Sequence, residues 1–390
     1  MELKLLTAIF CALFSWQVLA DEVTSSNSTN YNVKDVLETL EHALAYHDEI
    51  PTLDKSKIIG RDQRSALEDL DDDLSDLIEL FESEVLIDQQ IQYQKLEQRI
   101  AEEKVTRQKY RKEVVLAVSD ERSLASKLLP GETLKSMVAV SKADYQTLID
   151  ATDKNIKAYK KEQESTLSAI RSEFLAMQID LTTDQIDVLM TSVIGDEILT
   201  MTVTFNALKD VVLKLEQLSD QSGEDLVYAK KYFGMVVVLY RLMDKIQVEF
   251  IRNVENNFLP RLEELEDEGK AAIAESKKLI SDKVRVETLK NNIESNKETL
   301  DVISIYREVL EDQLDKVKKA NELNHKEMAV ADNTYRTVSL SSAVVGLITE
   351  SANNFSRLMS LQIPDVREFQ NTEIRETFKI LSGRINHKVK

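Results

Sequence analysis

The chain has 390 residues, 50 of them basic and 69 acidic, for a formal net charge of −19, and 43% of them are hydrophobic. That acid excess repels nucleic acid and anionic membrane surfaces and favours basic partners or metal cations. Eight glycines and four prolines, against ordinary usage of about 7% and 5%, leave the backbone rarely punctuated, so the chain reads as long helices.

Residues 1–20, MELKLLTAIFCALFSWQVLA, set Lys4 before an apolar run from Leu5 to Leu19 and close on Val18-Leu19-Ala20. This is the pattern of a secretory signal cut after Ala20. The run falls short of the ~20 apolar residues that span a bilayer, and no later stretch reaches that length, so no transmembrane helix is expected in the mature chain. Cys11 and Trp16 are the only cysteine and tryptophan. Phe10 stands where lipid attachment to Cys11 would want a small residue. Without disulfides, an exported chain must be held by its apolar core alone. The expected location is the periplasm or the extracellular space.

Residues 21–32, rich in Ser, Thr and Asn, read as a flexible leader. A first helix is predicted from Val33 to about Glu49, with Val36, Leu37, Leu40 and Leu44 on one face and Pro51 as its stop. From about Arg61, Leu67, Leu70, Leu74, Leu77 and Phe81 alternate spacings of three and four, a coiled-coil seam. Val85, Gln89 and Tyr93 then step by four, a stutter, before Leu96 and Ile100. Continued to about Leu128, this helix would be an arm on the order of 100 Å. Pro130-Gly131 ends it, and the next helix, roughly Glu132 to Gln178, is expected to fold back antiparallel. Residues 33–180 thus form N-terminal helices with a long coiled-coil hairpin turning at 130–131.

Residues 181–390 read as a multi-helix bundle. Thr182 or Thr183 is a candidate cap, and Ile186, Leu189, Met190, Val193, Ile198, Met201 and Phe205 cover more than one helical face. A break is expected near Ser222-Gly223. The clearest seam follows in Leu239, Met243, Ile246, Phe250, Val254, Phe258 and Leu262, and it passes through Pro260, which predicts a kink there and not an end. A long coiled-coil helix is expected at about 284–324, with Leu289, Ile293, Leu300, Ile303, Leu310, Leu314 and Val317 in one seam. Asn296, Asn321 and Asn324 fall on the same seam, where polar residues fix register at a cost in stability. Helices at about 337–362 and 364–387 complete the bundle.

Thr337 to Thr349, TVSLSSAVVGLIT, is thirteen residues without a charge in a chain that is 31% charged. Arg336, Glu350 and Arg357 bound it too closely for a bilayer span, so it reads as a tightly packed core helix.

The fold expected is all-α, an elongated bundle of long antiparallel helices with coiled-coil segments. No motif in it carries catalysis. His42, His47, His325 and His387 read as surface histidines, with no zinc spacing, no Ser/His/Asp elbow and no Gly-rich phosphate loop, and no cofactor is expected.

Between Arg64 and Lys95 there is no basic residue, while Glu68, Asp69, Asp71, Asp72, Asp73, Asp76, Glu79, Glu82, Glu84 and Asp88 are all acidic. Like charges four apart on a helix cost about 0.2–0.5 kcal/mol a pair. The block reads either as a solvated face or as a docking surface for a basic partner or divalent cations. Farther along, Arg107, Lys109, Arg111 and Lys112 make a charged segment at the far end of the arm, solvated or in contact with a partner.

The arrangement is similar in general features to two broad classes. One is exported coiled-coil scaffold or adaptor proteins, acting through helix contacts with envelope proteins, some of them membrane-anchored, or with a second copy as a homo-oligomer. The other is secreted all-helical pore-forming toxins, which carry a longer apolar hairpin than any stretch here. The scaffold is the reading adopted, with no enzymatic activity expected.

Overall fold

The computed structural model describes residues 31–57, 59–117, 120, 139, 141–177, 179–222, 226–281, 285–340 and 372–389. Among them the protein is all-α, 91% helical and without strands. The signal segment, the leader as far as Asn30, the turn at 130–131 and the uncharged stretch beyond Leu340 lie outside the described residues.

Helix α1 spans Val33–Glu49 and buries Val36, Leu40, Ala43 and Leu44. Asn32 caps it by accepting the Lys34 N–H at 3.0 Å, and Ile50-Pro51-Thr52 closes it in a 3₁₀ turn. Helix α2, Gln63–Phe81, starts at a reciprocal cap in which Asp62 and Ser65 satisfy each other's backbone N–H. Its buried face is Ala66, Leu70, Leu74, Leu77 and Phe81. Leu67, expected in the seam, is 47% exposed; Ala66 takes that place.

The single long arm expected from 61 to 128 is in fact two helices. Glu82 is extended (ψ 139), and Ser83 caps a new helix, α3 (Glu84–Leu116), by accepting the Leu86 N–H at 3.3 Å. The stutter in the pattern is the trace of this break. The phase restarts, so Leu86, Gln90, Tyr93, Leu96 and Ile100 are buried while Val85 is 48% exposed. At 33 residues α3 is about 50 Å long, half the length the sequence suggested.

Helix α4, Lys142–Ala176, starts at Ser141, whose backbone is extended (ψ 160) and whose hydroxyl caps Asp144; it does not begin near Glu132. Helices α3 and α4 pair antiparallel. Gln92 meets Glu162 at 3.1 Å, Asn155 meets Glu103 at 3.0 Å and Arg107 meets Asp153 at 2.7 Å, so the partner's number falls as the helix advances.

Helix α5 (Thr183–Thr191) is capped by Thr182, with Gln185 reaching back to complete the box. It is followed by α6 (Gly195–Ser222) and then α7 (Leu226–Asn253), whose Val237, Val238, Leu239, Tyr240, Leu242 and Met243 are all buried, as the central helix of a bundle requires. Pro260 does not end the helical path. A π turn at Val254–Phe258 leads straight into α8 (Leu259–Ser281). Pro260 has no N–H and its ring crowds the carbonyl four residues back, and the wider π turn accommodates both effects.

Helix α9, Val286–Leu340, is 55 residues long, about 80 Å. It runs through the expected end near Asn324 and the expected new start at Thr337, because Tyr335 and Val338 carry its buried face onward. It lies antiparallel to α7 and α8 from Gly234 to Gly269. Tyr335 lies against Gly234, Asn324 against Tyr240, Lys318 against Glu255, Arg307 against Glu266 and Leu300 against Gly269. The two glycines allow this approach. A Cβ on Gly269 would lie 2.9 Å from Leu300 Cδ2, and one on Gly234 would lie 3.0 Å from Tyr335 Cε2 of α9 and 2.5 Å from Leu44 Cδ2 of α1. Helix α10, Thr372–Val389, packs on α9 and α5 and buries Phe378, Leu381 and Ile385.

Candidate functional site

A trough of ≈ 1000 Å³ is lined by α3, α5, α8 and α10. Its apolar surface comes from Ile100, Ala101, Val105, Met190 and Ile380, of which Val105 and Ile380 are 67% and 64% exposed. Large aliphatic side chains left open beside a concave surface are the usual composition of a docking groove.

Beneath the opening lies a charged cluster. Lys379 Nζ is 3.0 Å from Asp187 Oδ1 and 3.5 Å from Glu97 Oε1. The fully buried Tyr93 donates its hydroxyl proton to the same Asp187 oxygen, and Gln163 donates to Glu97. Burial works against the Lys379 charge, but Asp187 and Glu97 together outweigh it and hold the ammonium above its ordinary range. Burial, reinforced by Asp187, raises the Tyr93 phenol. The lysine therefore stays charged and the tyrosine stays a donor, so the cluster is a fixed clamp tying α10 to α3 and α5 and lacks a free amine for nucleophilic work. Lys104 to Glu376 at 3.3 Å is a second tie across the same wall. Arg261, almost wholly buried, pairs with Glu264 and stands 4.0 Å from Glu268.

The acidic block, read from the sequence either as a solvated face or as a docking surface, is dispersed. Arg64 meets Glu68 at 3.1 Å, Arg61 meets Asp69 at 2.6 Å and Lys245 of α7 meets Asp71 at 2.6 Å, so cations of this chain take up part of its charge. Asp73 is half-buried with a raised carboxyl pKa, first from burial, with His42 opposing and the neighbouring aspartates adding to it. Glu82 sits in the helix break, also raised by burial and then by Glu79. Asp72, Asp76 and Glu79 remain exposed on one face of α2, whereas Glu84 opens α3 and Asp88 is exposed beyond the break.

In the basic segment Arg107 is taken up by Asp153, while Lys109, Arg111 and Lys112 are exposed. His42 and His325 are exposed, as expected, and His325 stands 3.2 Å from Asp244. His387 lies on α10. His47 departs from expectation, with a side chain only 11% exposed and wedged between two helices. Among the described residues no three His, Cys, Asp or Glu side chains gather to hold a metal ion.

The clamp was not singled out from the sequence, yet it left a mark there. Asp187 interrupts the apolar run Ile186 to Met190, and Lys379 stands between Phe378 and Ile380. A charge inside a buried run needs a partner.

No family model matches this chain, and no curated protein or solved structure is significantly similar to it.

Proposed function

We propose that the chain is an exported, non-enzymatic helical scaffold or adaptor that receives a helix of another envelope protein, or of a second copy, in the trough between α3 and α10. The observation that carries this reading is the pairing of exposed Val105 and Ile380 with a wall in which Lys379 is already held by Asp187 and Glu97, and Lys104 by Glu376. A groove of this kind has apolar surface to offer an amphipathic helix. Helix α3 is the rigid element that presents the site, because its other side is tied to α4 along the hairpin.

The test is the double substitution Val105→Asp and Ile380→Asp. Both side chains are exposed, so the fold should survive. Self-association in sedimentation velocity, and recovery of envelope proteins with the tagged chain, should fall at least tenfold, on the order of the ~1.4 kcal/mol that such a factor represents. Association at the level of the unmodified protein would overturn the proposal. Dye release from vesicles by the unmodified protein would point instead to the pore-forming class.

A further inference from the structure

His47 lies near the end of α1 and touches two helices that are distant in sequence. Its Nδ1 accepts a hydrogen bond from Arg241 Nε of α7 at 3.1 Å, and its Nε2 lies 3.2 Å from Asp332 Oδ1 of α9. A guanidinium has only donors, so the nitrogen facing it must carry a lone pair. That fixes the imidazole as neutral, with its proton on Nε2 and donated to Asp332. We propose that His47 is a pH-sensitive latch, holding α1 on the bundle while neutral and releasing it when protonated.

The surroundings of the ring set the direction of the switch. From α7 it meets Arg241, with Lys230 nearby, 5.8 Å over the Tyr335 ring. From α9 it meets Asp332, which is also held by Arg336 at 3.0 Å, and Tyr335, whose ring centre is 6.4 Å away and whose hydroxyl donates to Asp48 at 2.7 Å. On the α2 side, Arg61 ties Glu49 at 2.8 Å to Asp69, and Asp73 faces His42. Lys231 of α7 pairs with Glu41 farther along α1. Burial first, and then Arg241, disfavour a charged His47 more than Asp332 and Asp48 favour it, so its pKa lies below the ordinary 6.5.

The released helix would therefore bind a proton more readily than the docked one. Docking is at full strength above pH ~6.5, weakens as pH falls through that value, and reaches its limit once the docked histidine is itself protonated. Protonation places an N–H of His47 against the N–H of Arg241, replacing a hydrogen bond by two donors and two positive charges. What release bares is apolar. Val36, Leu40, Ala43 and Leu44 would leave the core, and the α7 surface around Gly234 would open.

The experiment is hydrogen exchange of the full chain, read on residues 33–49 and corrected for intrinsic rates, between about pH 7.5 and about pH 5. For one linked proton, the opening equilibrium of α1 should rise by up to about tenfold for each pH unit between the released and the docked pKa. The variant His47→Gln, whose amide can still accept from Arg241 and donate to Asp332, should remove that rise, and His42→Gln should not. A second reading needs no variant. In the unmodified chain carrying ¹³C-labelled histidine, the His47 ring should titrate below the ordinary histidine value of 6.5. Equal protection of α1 across the range, the same rise in His47→Gln, or a His47 ring titrating at or above the ordinary 6.5 would each overturn the latch.

Discussion

The side-chain amide of Asn324 donates to the backbone carbonyl of Tyr240 at 3.0 Å, inside the α7/α9 interface where Asn324 has no solvent exposure. Three residues toward the N-terminus, Asn321 reaches Asp244 at 2.8 Å and Gln247 at 3.2 Å. These two asparagines pin α9 to α7. The arrangement has a cost, since among the described residues the Asn324 Oδ1 is buried without a hydrogen-bond donor. Replacement by Leu should therefore raise stability toward denaturant by about 1 kcal/mol, while Asn324→Ala, which leaves a cavity, should lower it by about 2 kcal/mol. The Leu variant should also lose register fidelity, seen as faster exchange of α9 amides despite the higher midpoint.

The break between α2 and α3 rests on one hydroxyl. Ser83→Ala removes the acceptor for the Leu86 N–H and should lower the denaturation free energy by about 1 kcal/mol, whereas Ser83→Asp should retain most of it. A loss within experimental error for Ser83→Ala would mean that the break is held by tertiary packing alone.

Glu197 should give the bundle a pH dependence opposite in sign to that of α1. Burial first, with Asp196 and Glu249 adding, raises its carboxyl from 4.5 to about 7, against the pull of its own backbone N–H and of Asn253. The folded chain then binds more protons than the unfolded chain between these values. Its contribution is favourable at low pH and is lost as pH rises through about 7, leaving a penalty of a few kcal/mol at alkaline pH. Glu197→Gln should stabilise the protein at about pH 8 and flatten global stability between about pH 4.5 and 7, without altering the exchange of α1.

The remaining exposed carboxylates of α2 offer a separate test. Changing Asp72 and Asp76 to Asn removes a repulsive pair four residues apart and should stabilise α2 by a few tenths of a kcal/mol. Asp71→Asn should cost no more than about 1 kcal/mol, because its bridge to Lys245 lies half in solvent. Thermal denaturation at low and physiological salt measures both. A partner whose capture falls with these changes, and falls further as salt rises, would mark the block as a docking surface; capture unchanged at either salt would mark it as a solvated face.

Much of the architecture was legible because its signals are local. The apolar face of Val36, Leu40 and Leu44 with Pro51 beyond it placed α1, and of the two cap candidates Thr182 and Thr183 it is Thr182 that starts α5. The break at Ser83 was not, because a four-residue step in an apolar seam is equally the mark of a coiled-coil stutter and of two helices meeting out of phase. The end of α9 was misplaced for a related reason, since Met328, Ala331, Tyr335 and Val338 carry its packed face through a polar stretch. Tertiary chemistry was least visible. His47 finds Arg241 and Asp332 at separations of 194 and 285 residues, and Lys379 finds Asp187 at 192, distances over which periodicity carries no information.

The trough stands or falls on what occupies it in the living cell. A photo-crosslinking residue placed at Val105, and separately at Ile380, should give the same covalent adduct, to one envelope protein or to a second copy of this chain, identified by mass spectrometry. The same residue at Val115, 81% exposed farther along α3, should not give it. Adducts at Val115 as abundant as those at Val105 and Ile380, or none at either groove position, would contradict a docking role for the groove.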